Sequence, residues 1–207
     1  MRRTLRSWLL LAGLALGASA SHAATITVSG ILRGTNVWYA TNEYLLNGWV
    51  YVVSNAVLII EPGTVIRGKE AATQPNYGAL FVCRGGKIFA LGTRLKPIIF
   101  TAESDDINDP DDIPLAAEPT GRGLWGGVVI LGRGKMNRPD AEAVSGLNPD
   151  GSYWQIYEGL SDAVDPVTGQ HLHRWGGNDN DDSSGALRFV SIRYAGKVME
   201  SNKELNG

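Results

Sequence analysis

Short apolar runs recur along the chain from residue 45 onward, and inside each run the apolar residues alternate. Val50 and Val52 share one parity, as do Leu58 and Ile60, then Leu80 and Val82, then Ile88 and Ala90. Period two puts alternate side chains on one face of an extended chain, so each run predicts a strand. Corners rich in small or turn-forming residues separate the runs: Ser54-Asn55, Pro62-Gly63, Arg84-Gly85-Gly86 and Gly92-Thr93. The runs also repeat. Gly48 maps to Gly78, Val50 to Leu80, Val52 to Val82 and Leu58 to Ile88, each at an offset of 30, and Gly63-Thr64 maps to Gly92-Thr93 at 29. Strands joined by sharp corners and repeated at one coil length predict a solenoid, because a single coil cannot bury its inner row alone.

Two clean coils are expected at about 45–101, with Pro97-Ile98-Ile99-Phe100-Thr101 closing the second. Trp125–Gly132 reads as a third coil and Leu187–Gly196 as a fourth. Between them lie two polar excursions, about 102–123 and 133–185. Loops of that length are usually functional or disordered.

Composition agrees with β-structure. The chain has 207 residues, 43% hydrophobic and 19% charged, with 26 glycines and nine prolines to supply turns. No amphipathic helix is visible after the first twenty residues. The N-terminus differs: Arg2, Arg3 and Arg6 precede an apolar stretch from Trp8 to Leu16, and Ser21-His22-Ala23 gives a small-x-small pattern. That order predicts a signal peptide at 1–23, an exported mature part at 24–207, and no transmembrane segment in it. The formal charge is −2, and losing the three arginines leaves the mature part at −5. Such acidity argues against nucleic acid as a partner. Cys83 is the single cysteine and lies in the apolar run Leu80–Cys83, so it forms no internal disulfide and is expected to pack structurally.

Gly85-Gly86-Lys87-Ile88-Phe89-Ala90-Leu91-Gly92-Thr93 followed by Pro97–Thr101, together with Ile60–Ile66, resembles the pectate-lyase-like group of bacterial exported β-helix proteins. Gly123–Gly132 and Asp182–Val190 resemble an uncharacterised subfamily of such surface proteins. The resemblance covers about 45–207. It implies an all-β fold, a right-handed parallel β-helix with long loop excursions and an open C-terminal end. More coils normally follow a run like Glu204–Gly207 in such proteins, so the chain is expected to be an N-terminal fragment. The resemblance says nearly nothing about function.

Five sets of residues invite chemistry. The loop Gly176–Gly185 alternates Asp and Asn, and Asp179, Asp181 and Asp182 are candidate calcium ligands, since calcium takes hard oxygens. The competing reading is an Asx-turn whose side chains cap backbone N–H groups. Glu103, Asp105, Asp106, Asp109, Asp111 and Asp112 form a looser acidic run, read either as a calcium loop or as a solvated excursion. His171 and His173 are spaced for one strand face, but a zinc site lacks a third clear ligand. Trp154, Tyr157 and Trp175 are candidates for stacking on sugar rings, against a role in covering the solenoid. Arg188 and Arg193 are expected to face outward near the Asp179–Asp182 loop, as a lyase would need. No catalytic residue is assigned. The leading expectation is a non-catalytic binding or adhesion protein whose partner is a polysaccharide or cell-surface component. The alternatives are a calcium-dependent polysaccharide lyase or hydrolase, and a structural segment of a larger exported protein.

Overall fold

The computed structural model describes residues 24–109, 111, 114, 121–137, 144–200 and 203–205. The expected signal peptide lies outside them. Among the described residues there are sixteen strands and no helix. Three parallel stacks form the walls of a β-helix. The first wall holds Trp49–Val52 of β3 (Asn42–Val52), β6 (Ala79–Val82) and β9 (Gly127–Ile130). The second holds β2 (Thr35–Trp38), β4 (Val57–Ile60), β7 (Lys87–Leu91) and β13 (Gly185–Arg188). The third holds Glu43–Leu46 of β3, β5 (Val65–Gly68), β8 (Ile98–Ala102) and β14 (Val190–Ile192).

One strand supplies two walls because it turns a corner. Gly48 sits at the bend of β3 with φ +86°, a conformation that costs glycine little. β1 (Ala24–Leu32) follows it around the same corner, with a register slip between Val28 and Gly30. At the corner between the first and second walls, Asn55 and Gly85 stack one coil apart with φ +64° and +77°, and the Asn55 N–H donates to the Gly85 carbonyl at 3.0 Å.

The inner rows are the alternating residues of the sequence. Val50 pairs with Leu80, Val52 with Val82, Leu58 with Ile88 and Ile60 with Ala90, and all eight are buried. Burying each branched aliphatic side chain is worth about 1.5–3 kcal/mol, so these columns hold the stem together. Small inward residues make room where a large one arrives. Gly68 and Ala102 share a column, and the Trp125 indole lies over Gly68 so closely that a β-carbon there would overlap it. Trp125 is fully buried, and its Nε1–H donates to the Arg193 carbonyl at 2.7 Å.

Two readings of the repeat change. Gly92-Thr93 is not the counterpart of Gly63-Thr64. The third wall pairs Val65 with Ile99, so the later corner is longer and is closed by Thr93 and Lys96 bonding each other's backbone. Trp125–Gly132 and Leu187–Arg188 do not belong to successive coils. β9 stacks on β6 and β13 stacks on β7, one coil above the same turn of the stem. The second excursion is therefore inserted inside one coil, between its first and second walls. At the C-terminal end, β9, β13 and β14 each end their stacks among the described residues, and the inward side chains Ile130, Leu187 and Ile192 stay exposed.

Candidate functional site

The inserted excursion has its own structure. β10 (Ser145–Leu147), β11 (Tyr153–Ile156) and β12 (Arg174–Trp175) make a small antiparallel sheet. It packs on the outside of the first wall. That wall is apolar on both sides: Trp49, Tyr51, Phe81 and Cys83 alternate with the inward valines and leucines, and Phe81 and Cys83 are fully buried. A strand covered on both faces must be apolar throughout, and the excursion is the cover.

His173 is the centre of the cover. It is 1% exposed, with the rings of Trp49, Phe81 and Tyr51 at 5.5, 5.4 and 5.7 Å. Its Nδ1 faces the Ser161 carbonyl at 2.7 Å, and a carbonyl only accepts, so Nδ1 carries the proton. Nε2 then accepts from the Tyr51 hydroxyl at 3.0 Å. Burial pulls the His173 pKa below its usual value, against smaller opposing effects of the Ser161 carbonyl and Asp162. His171 points elsewhere, to Asp162 at 2.9 Å, so the two histidines do not share a site. The Cys83 thiol donates to the Leu172 carbonyl at 3.2 Å, and burial pushes its pKa up to about 12. It packs as a small apolar side chain.

Further along, the excursion is strapped to the corners of the stem. Gln170 accepts from the Ser54 N–H at 2.8 Å and donates to the Arg84 carbonyl at 3.0 Å, joining the corners of two coils. Asp165, fully buried, receives both ends of the Arg33 guanidinium at 2.8 and 2.7 Å. Thr168 and the Val167 N–H also donate to it. These donors, Arg33 foremost, hold its pKa well below the usual carboxylate range.

Between the strap, the β10–β11 turn and the stem corners lies an open cleft of about 780 Å³. Ser54, Asn55 and Arg84 line it from the stem, and Arg133, Asn148, Asp150, Gln170 and Asn178 from the excursion. Arg84 is fixed by its Nη1, which donates to the Gly176 carbonyl at 3.0 Å and to Asn148 Oδ1 at 3.3 Å. Burial, then the nearby charges of Arg133 and Arg174, lower its pKa. Nothing in sequence links Arg84 to Arg133. Only the insertion of the excursion within one coil brings them to the same corner.

Of the candidate ligands and stacking residues singled out from sequence, Asp179 alone lines this cleft among the described residues. The Asp179 carboxylate accepts from the Asp181 N–H at 3.0 Å, the Asp182 carboxylate from the Arg133 N–H at 2.8 Å, and Asn180 from the Lys135 N–H at 2.9 Å. Their oxygens hold the loop against the start of the excursion. Among the described residues no group of three or more His, Cys, Asp or Glu side chains is placed to hold a metal ion. Asp105 is buried, accepting from Thr101 Oγ1 at 2.7 Å, with Arg193 at 3.7 Å. Arg193 thus serves the first acidic run rather than the Asp179–Asp182 loop, and Arg188 is exposed on β13. Asp112 lies outside the described residues. The Trp154 ring carries the Arg174 guanidinium 3.5 Å from its centroid, and Arg174 is itself paired with Asp162. Tyr157 and Trp175 are partly buried against the core. Trp38 belongs to the core as well, 4% exposed and stacked on Tyr44 at 4.8 Å.

A family model for the pectate-lyase-like β-helix domain matches residues 30–207. The chain belongs to this family. No curated protein and no solved structure matches it. The match runs through both the three-walled stem and the strapped excursion. No helix among the described residues is long and apolar enough to cross a membrane.

Proposed function

We propose that this chain is an exported β-helix protein that binds a carbohydrate without cleaving it, at the cleft between the stem corners and the excursion. The cleft itself carries the reading. Its walls offer amides from Asn55, Asn148 and Asn178, hydroxyls and two guanidiniums, all fixed on backbone that both the stem and the strap hold in place. A few convergent polar groups on a rigid frame suit the hydroxyl-rich face of a sugar, and a long solenoid presents such a site to a polymer. The expectation of export rests on the N-terminal sequence pattern.

Titration of the intact protein with neutral and uronic-acid polysaccharides tests the reading, with chain length and new double-bond absorbance followed in the same samples. Saturable binding with unchanged chain length is the expected result. Cleavage that disappears on adding a chelator replaces this reading with a calcium-dependent lyase.

A further inference from the structure

We infer that the cleft contains an oxyanion subsite between Arg84 and Arg133, which takes a carboxylate, sulfate or phosphate group carried by the bound saccharide. The inference rests on the cleft being a binding site, and adds what charge its ligand bears.

Two guanidiniums converge on one corner of an acidic protein. Neither has a carboxylate oxygen within 4.0 Å among the described residues, a state shared with Arg94, Arg122 and Arg188. Two carboxylates line the cleft, and each accepts from nearby groups rather than from these guanidiniums. Asp150 Oδ1 accepts from the Ser152 N–H and Oγ–H at 2.9 and 2.6 Å, and Asp179 Oδ1 accepts from the Asp181 N–H. Arg84 Nη1 is held by two acceptors, and Arg133 makes one long contact of 3.4 Å to Ser54 Oγ. The corner is shaped for it: a β-carbon on Gly85 would lie 2.5 Å from Arg133 Nη2 and 2.7 Å from Ser54 Oγ. Arg84 is partly buried and Arg133 is exposed beside it; the two like charges repel each other, and an oxyanion between them removes that cost while meeting their planar donors.

The test uses the intact protein at constant ionic strength, with the arginine Nε–H signals of Arg84 and Arg133 followed by NMR. The probes are sodium sulfate, sodium phosphate, a monosaccharide uronate, a sugar sulfate, a sugar phosphate and a neutral sugar. The inference expects saturable shifts of both signals with at least one anion, and the three sugar anions show which substituent is preferred. Arg133→Gln should weaken that binding at least tenfold, and Arg133→Lys should fall between, since it keeps the charge and loses the fork. Arg133 makes a single long side-chain contact, so these variants should keep the wild-type circular dichroism and melting temperature. Shifts that follow ionic strength alone, or equal affinity in Arg133→Gln, overturn the inference. If neutral oligosaccharides saturate the cleft and no anion does, the subsite falls and the binding reading stands. If anions bind and no saccharide does, the subsite stands and the carbohydrate reading falls.

Discussion

The Tyr51 hydroxyl donates to His173 Nε2 at 3.0 Å across 122 residues of sequence, and so ties the inserted excursion to the stem that it covers. The bond sits among the rings of Trp49, Phe81 and Tyr51, with the other imidazole nitrogen spent on a carbonyl. A neutral imidazole satisfies both contacts. An imidazolium would be a buried charge there, with Asp162 as the opposing charge acting on it among the described residues.

Acid should therefore loosen the cover. The His173 pKa is depressed in the fold, so its contribution to stability is full above its unfolded value of 6.5 and declines as pH falls below it. Protection factors, with the intrinsic pH dependence of amide exchange divided out, should fall for residues 153–175 between pH 6.5 and pH 5, before the stem strands open. His173→Gln should flatten that dependence, and an unchanged pH profile in this variant would remove His173 as its source. Tyr51→Phe should cost about 1–3 kcal/mol in urea unfolding at neutral pH, because it strands the buried Nε2.

Trp125 and Gly68 are one packing unit. Trp125→Ala should cost about 3–5 kcal/mol, through lost burial and the cavity left beneath the indole. Gly68→Ala should cost about 1–3 kcal/mol by overpacking, and much less in a Trp125→Leu background. Additive losses in the double variant would show that the two side chains do not meet.

How much of this was legible in sequence follows from what each element depends on. The offset of 30 gave the true register of the first and second walls, Val50 on Leu80 and Leu58 on Ile88, because inward residues there repeat by direct stacking. The Gly-Thr match failed because corners tolerate insertion, and resemblance at a corner does not fix register. The apolar character of both faces at Trp49–Val52 and Leu80–Cys83 was a readable sign that something covers the first wall. What covers it was not readable. β10, β11 and β12 are two to four residues long and carry no periodicity of their own. Arg84 and Arg133 meet only through that unread fold.

The strap should open locally when its half-buried ion pair is lost. Asp165→Asn weakens the contact with Arg33 at the far end of the excursion, so protease should cut near residues 165–170 while the melting temperature of the stem changes little. Resistance equal to wild type would show that Gln170 holds the strap without the Asp165 charge.

Calcium separates two uses of the Asp179–Asp182 loop. With Asp179, Asn180 and Asp182 each accepting from a backbone N–H, millimolar calcium should leave the melting temperature unchanged. A rise that disappears in Asp181→Ala would show that the loop rearranges around the ion.

The most direct test of the carbohydrate cleft is amide hydrogen exchange with and without a saturating uronic-acid oligosaccharide. Added protection is predicted at 54–55, 84–86, 133–135, 148–152 and 176–179, on both sides of the cleft at once. Protection confined to the third wall, or none at saturation, would contradict the assignment.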